Sequence, residues 1–188
     1  MKTIGVLALQ GAVAEHLNKL EQLGAGHKEI RNINELKEID GIIIPGGEST
    51  AIGKLLTDFK LMEPLNKAIQ NGLPVWGTCA GMILLAKKIC GQKNTYLNTM
   101  DITVRRNAYG SQLDSFITQK LISSIAPYEL PLVFIRAPYI ESVTDSVSIL
   151  AKVNSNIVAA RQKNMLATSF HPELTDDTSF HKYFLSMC

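Results

Sequence analysis

Leu73-Pro74-Val75-Trp76-Gly77-Thr78-Cys79-Ala80-Gly81-Met82-Ile83-Leu84-Leu85 is the stretch around which the rest of the chain can be arranged. Residues 74–77 read as a short buried strand and residues 80–88 as a helix. A single cysteine, Cys79, stands at the junction, bracketed by Gly77 and Gly81. This is the sulfur counterpart of the G-x-S-x-G elbow, in which a sharp strand-to-helix turn lifts a nucleophile above a sheet. Glycine suits both flanks because neighbouring backbone passes close there and positive φ is open to it. A helix N-terminus also turns unpaired N–H groups and the positive end of its dipole towards the sulfur. The competing reading is a small buried cysteine that only fills space.

Working outward, residues 3–9 form a continuous apolar run, the mark of a strand buried on both faces of a parallel sheet. Val13, Leu17 and Leu20 give residues 13–23 a helical spacing that ends at Gly24. Residues 27–31 supply a polar second strand, and Asn34 can cap a short helix through Lys37. Gly41-Ile42-Ile43-Ile44 is a third strand, which stops abruptly at Pro45-Gly46-Gly47-Glu48-Ser49-Thr50. Helices over 50–57 and 62–71 return the chain to the strand before Cys79. Strands alternating with helices predict right-handed βαβ units. Beyond the elbow, residues 101–106, 115–119, 132–136, 147–153, 156–161 and 166–170 read as short strands, and 177–186 as a closing helix. Some of these strands must be antiparallel, because no helix-length connection separates them. The expected fold is α/β: one domain over 1–188, a flavodoxin-like three-layer sandwich with a mostly parallel central sheet and added antiparallel strands in the second half.

Composition excludes several classes of function. With 46% hydrophobic and 19% charged residues the chain is ordinary for a soluble globular protein, and a net charge of +2 gives no reason to expect nucleic acid or a membrane. The cysteines Cys79, Cys90 and Cys188 are an odd number without paired spacing, which argues against a disulfide framework. Cys90 reads as buried filler and Cys188 as a loose terminus. No metal-ligand spacing occurs, and no cofactor is expected. The first apolar run is too short for a signal-peptide core, so a cytoplasmic protein is expected.

A thiolate nucleophile needs a base, and the base needs a group that orients it. His16 stands beside Glu15 on the first helix, His27 follows a glycine turn, and His181 sits on the last helix, where a solvated face is the natural reading. His171 differs, since it ends the apolar strand over 166–170 at the same sheet edge as Cys79. Pro172 favours extended backbone at His171. In extended chain, residues two apart share a side, so His171 and Glu173 can project together. The Pro45-to-Thr50 turn lacks the Lys-Ser/Thr pair of a P-loop, and Glu48 disfavours phosphate. A Gly46 or Gly47 N–H aimed at a developing oxyanion suits it better.

Taken together, these motifs resemble a known family. They are Gly5-Val6-Leu7-Ala8-Leu9-Gln10-Gly11, Pro45 to Thr50, Gly77-Thr78-Cys79-Ala80-Gly81, Arg105-Arg106-Asn107-Ala108-Tyr109-Gly110-Ser111-Gln112, Phe134-Ile135-Arg136-Ala137-Pro138 and Phe170-His171-Pro172-Glu173-Leu174. The chain is similar to the triad (class I) glutamine amidotransferases and, within them, to the glutaminase subunits of pyridoxal 5'-phosphate synthase. The resemblance implies Cys79 as nucleophile, His171 as general acid/base and Glu173 as its orienter. It implies glutamine contacts from Gly47, Glu48, Ser49, Arg106, Ile135 and Arg136, and oxyanion donors near Gly47 and Ala80. It further implies a peptide flip at Gln10-Gly11 on docking, a synthase subunit as partner, and ammonia passed to it through a channel.

Other readings remain distinguishable. Related cysteine hydrolases place a histidine directly after the nucleophile, where this chain has Ala80. In α/β-hydrolases the acid precedes the histidine in the chain, the reverse of the order here. A non-catalytic binding module would leave Cys79 unreactive towards glutamine-like electrophiles.

Overall fold

The apolar runs at 3–7, 41–44 and 75–78 become neighbouring strands at the centre of the sheet. The computed structural model describes residues 2–106 and 115–188. Its first half comprises β1 (Thr3–Leu7), α1 (Val13–Gln22), β2 (Gly26–Ile30), β3 (Gly41–Ile44), α2 (Ser49–Asp58), α3 (Met62–Gln70), β4 (Val75–Thr78) and α4 (Ala80–Leu85). A 3-10 turn, Glu35–Glu38, stands where the short helix was expected. The second half comprises β5 (Ala86–Ile89), β6 (Met100–Arg105), β7 (Phe116–Leu121), β8 (Glu129–Phe134), β9 (Tyr139–Val143), β10 (Ser148–Val153), β11 (Asn156–Gln162), β12 (Met165–Thr168) and α5 (Ser179–Met187).

Among the described residues the main sheet runs β2-β1-β3-β4-β12-β11-β9-β6-β5, with β10 paired to β11 and a separate β7-β8 ribbon. From β2 to β12 every neighbouring pair is parallel, whereas β11 pairs antiparallel with β12, β9 and β10. The α/β class, the parallel core and the antiparallel second half thus agree with the sequence reading. β2 is polar because it is an edge strand, with only Ile30 of its five residues buried.

Alternation along the central strands divides the core between two faces. Ile4, Val6, Ile43, Trp76 and Leu166 face α1 and α5, where Leu20, Phe180 and Phe184 meet them. Ile42, Ile44 and Val75 point the other way, onto Ile52, Leu56, Leu65 and Met82 of α2, α3 and α4. These are the three expected layers.

The local departures have physical causes. The helix expected over 80–88 stops at Leu85; Lys87 and Lys88 are exposed between buried Ala86 and Ile89, and the segment pairs with β6 as an edge strand. The strand expected over 132–136 ends at Phe134, because Arg136 turns at φ 42° ahead of Pro138. β9 was not read from the sequence; it bridges β6 and β11 in the antiparallel half.

Candidate active site

Three parallel neighbours, β3, β4 and β12, finish in register: Ile44 and Ala167 both lie opposite Gly77, and Thr168 lies opposite Thr78. Whatever follows these strands therefore emerges at one edge, the end of an open α/β sheet where ligands bind. β3 leads into Gly46-Gly47-Glu48, β4 into Cys79, and β12 through Ser169-Phe170 into His171.

Cys79 takes φ 49° and ψ −102°, a conformation rare for a residue with a side chain, at a strain on the order of 1–3 kcal/mol. The flanking glycines allow the turn by close approach rather than by positive φ. A Cβ at Gly81 would overlap the Ile44 carbonyl, and one at Gly77 would overlap the Gly81 backbone. The Cys79 N–H is tied to the Thr168 carbonyl at 2.8 Å, so the elbow is fastened to the strand that carries the histidine.

His171 is buried, and its Nδ1–H donates to Glu173 Oε1 at 2.7 Å. The pairing arises differently from the sequence argument. Pro172–Leu174 is a 3-10 turn, so Glu173 curls back under the ring instead of projecting from extended chain. Burial works against the imidazolium. Hydrogen bonds with the Cys79 sulfur and the Glu173 carboxylate, together with their charges, outweigh it and push His171 up to about 10. Burial likewise works to raise Glu173, but the hydrogen bond to His171 and the charge of its imidazolium hold it below the usual carboxylate range. Gly46 is the floor beneath this pair. A Cβ there would overlap His171 Cε1 and stand 3.4 Å from Cys79 Cβ.

A cleft of about 620 Å³ opens over the sulfur. Gly47, Glu48, Ser49, Arg106, Ile135 and Arg136, the residues expected to contact substrate, all line it alongside Cys79 and His171. Asn107, Ala108, Tyr109, Gly110, Ser111 and Gln112 of the expected motif lie outside the described residues. Glu48 caps α2, accepting from Ala51 N–H at 2.9 Å, and pairs with the Arg106 guanidinium at 3.1 Å. The cleft lining thus carries two acidic side chains, Glu15 and Glu48, and two basic ones, Arg106 and Arg136, with Glu48 and Arg106 side by side, a mixture that suits a zwitterion. Ser49 Oγ is buried at the cleft wall without a hydrogen-bond partner among the described residues. Gln10 Oε1 accepts from Glu48 N–H at 2.8 Å, while Gly11 takes φ 107° and Ala12 N–H donates to the Gly46 carbonyl at 3.0 Å.

Two histidines set aside in the sequence belong to the surroundings of the site. His16 and His181 are both fully buried, and neither lies on a solvated face. A signal was available for each: His16 shares the helical stripe of Val13, Leu17 and Leu20, and His181 stands between Phe180 and Phe184. The other cysteines are elsewhere. Cys90 is half-buried with its thiol donating to Glu141 Oε2 at 2.6 Å, and Cys188 packs against the end of α5, donating to the Phe184 carbonyl.

Among the described residues no helix is long and apolar enough to cross a membrane, and no group of three or more His, Cys, Asp or Glu could hold a metal ion. Comparison with known proteins gives consistent matches. The model of the SNO glutamine amidotransferase family matches residues 6–188. A pyridoxal 5'-phosphate synthase subunit PdxT of Clostridium kluyveri is 59% identical over 185 residues, 98% of each chain. A protein of the same name from Streptococcus pneumoniae is 54% identical over 189 aligned residues, covering 98% of this chain and 97% of its own. A crystal structure described as a glutamine amidotransferase superposes with a TM-score of 0.92 at 41% identity, covering 98% of this chain and 97% of the other.

Proposed function

The chain belongs to the SNO glutamine amidotransferase family, and on that premise we propose that it hydrolyses L-glutamine to L-glutamate and ammonia, with Cys79 as nucleophile, His171 as general acid/base and Glu173 as the group that orients His171. The observation that carries the assignment is the meeting of these three side chains at one sheet edge, under a cleft that also holds the Glu48–Arg106 pair.

The Cys79 thiolate, paired with the His171 imidazolium, attacks the side-chain amide carbon of glutamine. Backbone N–H groups near Gly47 and Ala80 receive the oxyanion, each worth on the order of 3 kcal/mol in the transition state. His171 gives its proton to the departing ammonia, leaving a thioester on Cys79. Water then enters, His171 takes its proton, and glutamate leaves. Glu173 keeps Nδ1 protonated throughout, which directs Nε2 at the reacting atoms. Arg106 and Glu48 suit the α-carboxylate and α-ammonium groups of the amino acid, and the unpartnered Ser49 hydroxyl supplies a further polar contact.

Ammonia released into bulk water would be protonated and lost as a nucleophile. We therefore infer that the ammonia passes through a channel to a synthase subunit; the relatives' being named subunits of a pyridoxal 5'-phosphate synthase supports this. Exposed Ile135 and Leu174 on the cleft lining give such a partner an apolar rim to seat on. Gly11, with its positive φ against the Gly46 carbonyl, supports a peptide flip at Gln10-Gly11 when the partner docks. The test is glutamate release with and without that partner. Cys79→Ala is expected to bind the partner and release no glutamate. Near-normal turnover by that variant, or equal rates with and without the partner, would contradict the proposal.

A further inference from the structure

The carboxylate of Glu173 has two oxygens, and the triad uses one. Oε1 holds His171, whereas Oε2 is fully buried and has no hydrogen-bond partner within normal distance. The group facing it is His16 Nε2, 3.5 Å away. The same nitrogen lies 3.3 Å from Thr78 Oγ1, on the residue before the nucleophile. On its other side His16 Nδ1 is 3.0 Å from His181 Nε2. Three elements remote in sequence, α1, the turn after β12 and α5, thus meet in one line behind the triad. Trp76 fixes both rings, edge-on to each at centroid distances of 5.6 and 4.9 Å, and its own N–H is bound to Thr168 Oγ1.

The proton positions follow from what each arrangement leaves unsatisfied. Burial lowers the pKa of His16 and lowers that of His181 well below the ordinary value, so both rings are neutral and share one hydrogen bond. If His16 donated from Nδ1, its Nε2 lone pair would face the Glu173 lone pairs. His181 would then keep a buried Nδ1–H with no acceptor. Orphaned N–H groups are the rarer and costlier defect. If His181 donates from Nε2 instead, His16 carries its proton on Nε2, aimed between Glu173 Oε2 and Thr78 Oγ1. Only an acceptor, His181 Nδ1, is then left over.

We propose that His16 and His181 are positioning residues for the triad: a chain of two neutral imidazoles, His181 to His16, that presents an N–H to the free oxygen of Glu173 and so fixes the rotation of the carboxylate that holds His171. A neutral donor suits the task better than a cation. It orients the carboxylate without cancelling the negative charge that stabilises the His171 imidazolium. The charged and titratable groups around the pair are Glu15 and Lys19 on α1 together with Glu173 and His171. Thr78 supplies a hydroxyl, so a shift of His16 is also felt one residue from Cys79.

This inference rests on the glutaminase reading, and its test separates the two. Long-range proton–nitrogen spectra of the nitrogen-15-labelled wild-type chain at neutral pH are expected to find His16 and His181 neutral, each protonated on Nε2. A proton on His16 Nδ1, or a cationic His16, would overturn the proposal without any variant having to fold. In the complex with the synthase partner, His181→Leu is expected to lower kcat about tenfold to a hundredfold, the scale for losing an outer orienting hydrogen bond, with KM for glutamine unchanged. His181→Gln places an amide N–H where Nε2–H stood and is expected to restore most of that loss. A fully active His181→Leu, or a Gln variant no better than Leu, refutes the positioning role. Glutamine turnover by Cys79→Ala would instead sink the parent reading, whereas a dead Cys79→Ala beside a fully active His181→Leu sinks this inference alone.

Discussion

Replacing Glu173 by glutamine removes one charge while keeping the shape of the side chain, at a position where nothing can move in to compensate. The bond it alters, His171 Nδ1 to Oε1 at 2.7 Å, is short and inside a buried pair. Hydrogen bonds to a charged group contribute about 1.5–3 kcal/mol, roughly twice a neutral one. Glutamine keeps a neutral acceptor there, so losing the charge weakens the hold on the imidazolium by the difference, about 0.7–1.5 kcal/mol, which is about half to one pH unit in the His171 pKa. His171 stands at about 10 in the wild type, raised by Cys79 and Glu173 against the effect of burial. The variant's pH–rate profile should shift downward accordingly. The same loss in the transition state corresponds to about a threefold to tenfold fall in kcat/KM at pH 7. The assay is glutamate release by the partner-bound enzyme from pH 6 to 10, with kcat and KM separated. A variant with the wild-type profile and wild-type kcat would refute the argument that Glu173 sets the state of His171.

Further predictions concern the floor of the site, its substrate contacts and its buried rings. Gly46→Ala puts a methyl group into His171 Cε1 and is expected to abolish turnover while far-UV circular dichroism stays native. A variant that remains active would mean the ring sits elsewhere. Arg106→Ala removes the cation paired with Glu48 and should raise KM for glutamine by about tenfold, with a smaller effect on kcat, as expected for uniform substrate binding. His16 and His181 have lowered pKa values, so below the ordinary histidine value of about 6.5 the unfolded chain binds protons that the folded chain refuses. Stability should then fall from pH 6.5 towards 5, by up to about 1.4 kcal/mol per pH unit for each ring. His171 is protonated in both states in that window; its contribution is lost only as pH rises from 6.5 towards 10. Urea midpoints across pH 5–6.5 check this, and a flat profile would contradict two neutral buried rings.

Much of this architecture is legible because the decisive signals are local. The runs at Thr3–Leu7, Gly41–Ile44 and Val75–Thr78 are apolar without alternation, which only a doubly covered parallel sheet explains. The glycines about Cys79 and in the turn after β3 mark where backbones cross. The rest depends on contacts that no window contains. β5 carries two adjacent lysines and is a strand only because β6 lies beside it. Glu173 reaches His171 through a turn that begins at Pro172, a residue that points equally to extended chain before it and a helical turn after it. His16 and His181 are 165 positions apart and acquire meaning only when α1 and α5 close over Trp76.

Three cysteines are present, and Cys79 is proposed as the sulfur that attacks glutamine. That assignment can be tested by treating the partner-bound enzyme with 6-diazo-5-oxonorleucine, a glutamine analogue with an electrophilic carbon, and measuring the intact mass followed by peptide mapping. One adduct per chain is expected, on Cys79, slowed by glutamine and absent in Cys79→Ala and Gly46→Ala. An adduct on Cys90 or Cys188, or an unmodified chain under conditions of full turnover, would contradict it.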